Sequence, residues 1–246
     1  MQRNMEQKSA VFPAAILGFG IVLAAAVGSY TFYAVRSFDN TLSVTGSAKT
    51  RVEADVAKLT FNVSRTAPED GRQNGYVQLE QDMKTVKAFL AEKGVAETET
   101  TISPIFMEEV YKYNPSGSQL PREFTLRQSV NIESTEVAKV TALAASSQEL
   151  AAKNIFVGMQ LPEYHYSKLA DLRVSSLADA IKDAKARAEQ IAAPSGRKVG
   201  KLKAASSGVV QVLAPNSVEV SDYGQYDLWS IEKDVMVTVR GTFLVR

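Results

Sequence analysis

Gly46, Lys49 and Thr50 come nearest to chemistry in this chain. Glycine, lysine and a hydroxyl after the strand-like run LSVT are the working parts of a phosphate-binding loop. That loop requires G-x-x-x-x-G-K-[ST] between a strand and a helix. Here Ala48 stands where the second glycine is needed, Ser43 stands where the first is needed, and strand texture follows. The reading is a connection between two strands, with Gly46 relieving backbone strain. The only histidine, His165, has Ser167 and Asp171 close by in PEYHYSKLAD. A Ser-His-Asp triad is defined by geometry, not by closeness along the chain, and no G-x-S-x-G elbow accompanies it. A hydrolase acting through His165 is therefore the enzymatic alternative to a lone surface or structural histidine. Glu108 and Glu109, adjacent on a strand, point to opposite sides and read as solvated. No second carboxylate cluster has metal-ligand spacing. Cysteine is absent, which excludes disulfides, thiolate nucleophiles and Cys-ligated zinc. The near balance of 28 Lys and Arg against 27 Asp and Glu leaves no electrostatic footprint for nucleic acid. The expectation is a protein that is not an enzyme, with no catalytic, metal or cofactor-binding residue and no cofactor.

The elements that would position any site begin with an uncharged apolar run between Lys8 and Arg36. Residues 11–35 as a helix would be roughly 37 Å long at about 1.5 Å per residue. That is enough to span a ~30 Å hydrocarbon layer with some tilt. Ala24-Ala25-Ala26 offers a signal peptidase its small residues, but apolar sequence continues for about nine residues beyond, long for a signal peptide. The expected division is a short N-terminal tail at 1–10, a transmembrane anchor in the lipid bilayer at 11–35, a linker at 36–41 and one domain at 42–246. Gly20, Ala24 and Gly28 form a small-xxx-small ladder on one helix face, a candidate for membrane-helix packing.

Beyond the linker, alternation of apolar and polar residues predicts strands at Leu42–Thr45 and Leu59–Ser64. A helix follows through Tyr76, Leu79, Met83, Val86 and Leu90, stopped at Gly94. Residues 98–113 read as a strand interrupted at Pro104, joined by the turn-rich tip 114–121 to a strand carrying Phe124, Leu126, Val130 and Ile132 on one face. A second helix starts near Ser134 or Thr135 and continues through Leu150. Ile155–Val157 is a short strand. A third helix over Leu169–Ala193 bears an apolar stripe of Val174, Leu177, Ile181, Ala184, Ala188 and Ile191, and ends at Pro194 and Gly196. Residues 198–213 return to strand character. The run 231–245 is the strongest strand, with Ile231, Val235, Val237, Val239, Phe243 and Val245 alternating with Glu232, Asp234, Thr238, Arg240 and Thr242. The pattern is α+β: a largely antiparallel sheet with amphipathic helices packed on one face, preceded by one transmembrane helix.

Between the last two strands lies APNSVEVSDYGQYDLWS, a polar loop whose Tyr223, Tyr226 and Trp229 are the candidate interaction residues. Two readings stand: exposed interface anchors, or aromatics folded back over the core. Tyr111 and Tyr113 beside the 114–121 tip pose the same choice. If the final strand lies at a sheet edge, its free N–H and C=O groups can pair with a second copy, so a homo-oligomer is expected.

The order of SVTGSAKTRVEADVAKLTFNVS, FLAEKGV, TTISPIF, DAIKDAKARAEQIA, GRKVGKLKAAS and IEKDVMVTVRGTFLV resembles the SIMPL-domain family over about residues 41–246. The resemblance implies an α+β fold, an extracytoplasmic setting for residues 37–246 on the bacterial inner membrane, and for some members a link to oxidative-stress defence. It supplies no catalytic residues. The function it implies is a membrane-anchored domain acting by binding or self-assembly, with a periplasmic small-ligand-binding protein as a further alternative.

Overall fold

A computed structural model of the chain describes residues 3–37, 40–113, 115–117, 120–217 and 221–246, with residues 3–15 and 36–37 as backbone alone. Residues 38 and 39 of the expected linker, 114, 118 and 119 of the expected tip, and 218–220 of the aromatic loop lie outside the described residues. In chain order the first elements are α1 Arg3–Ser37, β1 Thr41–Glu53, β2 Val56–Pro68, α2 Arg72–Glu92, β3 Thr100–Ile102, β4 Phe106–Val110 and β5 Glu123–Ser134. They are followed by α3 Val137–Ser146, α4 Gln148–Ala152, β6 Phe156–Met159, β7 Glu163–His165, α5 Leu169–Ala192, β8 Val199–Ser207, β9 Gln211–Leu213 and β10 Glu232–Val245. The fold is mixed α+β with antiparallel strand pairs. The chain divides into two compact units, one built from residues 1–48, 177–208 and 237–246, the other from 49–176 and 209–236. Covalently, the chain crosses from one to the other within β1, α5 and β10 and after Gly208.

In the first unit, α1 begins inside the expected tail and contains Ile16–Val35, a stretch of 20 residues with mean hydropathy 1.7, long and apolar enough to cross a membrane. The sheet order is β1-β10-β8. β10 is therefore central, flanked on both sides. The condition set for pairing with a second copy through this strand, an edge position, is not met. Its alternating valines are the clue in retrospect: Val237 and Val239 are buried to within 1%, the burial a central strand attains. The core here is small, with Val44, Ala184, Ala188 and Phe243 buried together.

Gly46 is not in a connection between strands. It sits inside β1, and a Cβ built there would lie 2.2 Å from the Ala184 amide nitrogen and 2.3 Å from the Ala180 carbonyl oxygen. Helix and strand backbones meet at that point, and only glycine fits. The same close approach rotates α5 relative to the expected stripe. Ala180, Ala184, Ala188 and Ala192 are buried, whereas Val174 and Ile191 are 69% and 57% exposed. Small side chains, not the largest apolar ones, let the helix approach.

The second unit carries a six-stranded sheet, among the described residues, in the order β3-β5-β2-β6, with β4 paired to β5 and β7 to β2. The interruption at Pro104 and the hairpin between β4 and β5 follow the expectation. Leu59, Phe61 and Val63 of β2 and Leu126, Val130 and Ile132 of β5 face α2 and α3 in one core. The opposite face is polar: Lys58 pairs with Glu133 at 3.0 Å and Thr60 bonds Asn131 at 2.9 Å. Gly94 stops α2 with φ of 75°, the left-handed conformation that glycine tolerates best. The second helix starts later than expected, at Val137. Ser134 stays in β5, and its Oγ accepts the Glu136 amide at 3.1 Å and donates to Glu99 Oε1 at 2.5 Å. The helix also breaks at Ser147, leaving α3 and α4 separate.

Candidate functional site

The loop between β9 and β10 is held from its root outward, entirely within the second unit. At its start, the Asp234 carboxylate is 2% exposed and accepts from Lys49 Nζ at 2.7 Å, Arg51 Nε at 2.9 Å and the Asn216 amide at 3.0 Å. Asn216 has φ of 62°, so its amide turns inward while its Oδ1 accepts Arg51 Nη2 at 3.3 Å. The hydrogen bonds from Arg51, then Lys49, hold the Asp234 carboxyl far below the usual carboxylate range. Lys49, the lysine of the phosphate-loop lookalike, thus serves as an ion-pair partner inside a strand. Asp234 is not on a solvated face as the alternation suggested: it is buried because two cations and an amide satisfy it.

Further along, Gln211 Nε2 donates to the Ser221 carbonyl at 2.5 Å. The Val212 amide reaches Gln225 O at 2.7 Å, and the Asp227 amide reaches Val212 O at 2.8 Å. Gly224 turns the chain with φ of 87°. Asp227 then makes an Asx-type turn, its Oδ1 accepting the Trp229 amide at 3.1 Å and its Oδ2 the Ser230 amide at 3.2 Å. Burial pushes the Asp227 carboxyl up, but the bonds from Trp229 and Ser230 outweigh it and leave it below its ordinary value. Behind the turn lies Lys233, wholly buried, with Nζ 2.5 Å from the Asp227 carbonyl oxygen and 3.7 Å from Oδ2. Burial lowers its ammonium pKa against the pull of Asp227. The Tyr164 amide donates to Leu228 O at 2.7 Å and the Ala54 amide to Ile231 O at 2.9 Å, fixing the loop's end to β7 and to the turn between β1 and β2.

This frame decides between the two readings of the aromatics residue by residue. Tyr226 folds back: its hydroxyl accepts the Tyr166 amide at 3.0 Å, its ring lies 5.9 Å from that of His165, and Lys233 Nζ sits 5.7 Å from its centre. Tyr223 is 97% exposed and Trp229 57% exposed, held outward on a loop bonded through its own backbone. Tyr111 and Tyr113 are exposed as well, at 64% and 62%.

The triad residues are not brought together. His165 Nε2 lies 3.3 Å from Glu163 Oε2. Ser167 instead gives its hydroxyl to Asp55 Oδ2 and its amide to Oδ1, each at 2.7 Å. Glu109 is not merely solvated: Arg122 grips it with two bonds, 2.8 and 3.0 Å. Among the described residues no three His, Asp or Glu side chains gather in a way that could hold a metal ion. A cavity of about 300 Å³ near the end of α2 is lined by Lys87, Leu90, Ala91, Val95, Glu97, Thr100 and Ile102. On α1, Gly20, Ala24 and Gly28 are all exposed, and a Cβ at either glycine would meet nothing within 4 Å.

Sequence reasoning singled out the three aromatics but missed Asp227, Lys233 and Asp234, which fix them. The Asp227 turn had a legible signal, an aspartate two and three residues before amides at a strand entry. Lys233 carried none, since burial of a lysine depends on partners that only the fold supplies.

A family model described as SIMPL, protein of unknown function (DUF541), matches residues 42–243. No curated protein matches the chain. Among the solved structures that match is the crystal structure of an unknown protein from Galdieria sulphuraria, 18% identical, covering 44% of this chain and 51% of that one with a TM-score of 0.20. The chain thus spans about half the length of that structure.

Proposed function

The chain belongs to the SIMPL family, and from that premise we propose that it is a membrane-anchored, extracytoplasmic binding protein that works without catalysis, assembling with its own copies through the 221–231 loop. The observation that carries this reading is the presentation of Tyr223 and Trp229, 97% and 57% exposed, on a loop tied down by backbone bonds. Rigid aromatics held in water before binding lose little entropy when a partner covers them. The proposed setting is envelope or oxidative-stress defence, a reading that rests on the family resemblance alone.

Sedimentation of the full chain in neutral detergent tests the proposal. Wild type is expected to form a species larger than the monomer, shifted toward monomer by Trp229→Ala and by Tyr223→Ala. The membrane helices offer a separate route through Gly20, Ala24 and Gly28, so Gly20→Leu with Gly28→Leu is the companion variant. Assembly lost in that variant and untouched by Trp229→Ala would remove the aromatic loop from the proposal. A chain monomeric throughout would overturn self-assembly altogether.

A further inference from the structure

In the first unit, a groove of about 820 Å³ runs between α5 and β8. Its rim carries Lys185, Lys198, Lys201 and Arg246, and its floor includes Leu202 and Phe243. No acidic residue lines it. The four cations are exposed. Only Lys185 has a carboxylate within ion-pair range, Glu189 at 3.8 Å; among the described residues Lys198, Lys201 and Arg246 form no ion pair. β8 bulges where it lines the groove. Val199 pairs with Val245 and Leu202 with Phe243, so β8 spends one residue more than β10 over that interval. Leu202 is left 40% exposed beside the cations.

The groove also has an address. Lys198 and Arg246 exchange backbone hydrogen bonds of 2.8 and 3.0 Å, and Val245, the last residue of β10, donates its amide to Asn40 O at 2.9 Å. From Val35, the end of the apolar stretch, to Asn40 the chain spans at most about 17 Å, five residues at ~3.4 Å each. The basic rim is thus tethered close to the place where α1 would leave the bilayer. We infer that this groove seats an anionic phospholipid of the leaflet next to Val35, its headgroup on Lys198, Lys201 and Arg246 and its upper acyl carbons against Leu202. The inference rests on α1 being a retained anchor. Charge complementarity and an apolar floor are what such an amphiphile requires, and each cation near an anionic surface strengthens its hold about fivefold.

The test uses the full chain in lipid nanodiscs of phosphatidylcholine, with or without phosphatidylglycerol, after a high-salt wash. Amide hydrogen exchange is followed over 199–202, where Gly200 and Lys201 fall between paired positions. Phosphatidylglycerol is expected to slow that exchange about fivefold or more. The effect should vanish in Lys198→Ser with Lys201→Ser and Arg246→Ser, while exchange in β5 stays unchanged. Retention in the discs with no lipid-dependent slowing would overturn the lipid site and leave the anchor standing. Equal slowing by inorganic phosphate in phosphatidylcholine discs would overturn it in favour of a soluble anion, and slowing by polyglutamate alone in favour of an acidic protein. A chain that washes off the discs would overturn the anchor, and the lipid site with it.

Discussion

Asp234 and Glu99 are acids whose charge the fold holds in place. Asp234 is held far below its ordinary value by Arg51, then Lys49. Glu99 is lowered to about 2 by the Ser134 hydroxyl, the Ala96 amide and Lys139. Both folded-state values lie below the unfolded ones, so their contribution is complete above about pH 4.5 and is lost as pH falls through about 2. Denaturant midpoints should therefore drop over that interval, and drop less in Asp234→Asn. At neutral pH that variant should cost about 2 kcal/mol, since Lys49 and Arg51 stay solvated while the Asn216 amide loses its acceptor's charge. Lys233 has the opposite sign of dependence. Its folded pKa is depressed by burial, so the unfolded chain binds the extra proton and stability rises with pH toward the ordinary lysine range. In Lys233→Met, chemical unfolding followed from neutral to alkaline pH should lose that rise. These effects were illegible in the sequence, where Lys233 and Asp234 read as two more steps of an alternating strand.

At the scale of elements, the contact between β1 and α5 is the most exacting. Gly46→Ala should cost about 3 kcal/mol or more, because the added methyl meets helix backbone at 2.2 Å and not a movable side-chain tip. Gly28→Ala, where a Cβ meets nothing, should not destabilise the chain, since alanine is the better helix former. The contrast between two glycines of one unit makes calorimetry a direct check. Element types were largely legible, since periods of 2 and about 3.6 residues survive in β2, β5, α2 and β10. The face of α5 was not. Hydrophobicity ranks valine and isoleucine above alanine, whereas close backbone approach ranks them the other way. β7 has three residues, too few for any period to register. The central place of β10 depends on two partners distant in sequence, which alternation within one strand cannot reveal.

At the scale of the whole molecule, α1 and the residues that follow it set two expectations. Intact mass of the membrane-extracted protein should include residues before Ala26; a mature mass starting near Val27 would identify a cleaved leader. A protease added to intact spheroplasts should digest the region beyond Val35, and full protection until lysis would reverse the proposed orientation. The order of synthesis bears on both experiments. β1 begins at Thr41, while the residues of β10 that flank it in the first unit come after Val237. At roughly 5–20 residues per second, β1 emerges tens of seconds before its partner, already tethered to α1. With α1 as the anchor proposed above, a strand with unmet hydrogen-bond groups would for that interval be held at the membrane surface, open to capture by a chaperone or by the same strand of a neighbouring nascent chain. Pulse-labelling should find β1 protected from protease only after residues 237–246 are made, later than the sheet of the second unit, whose strands all lie within residues 56–165.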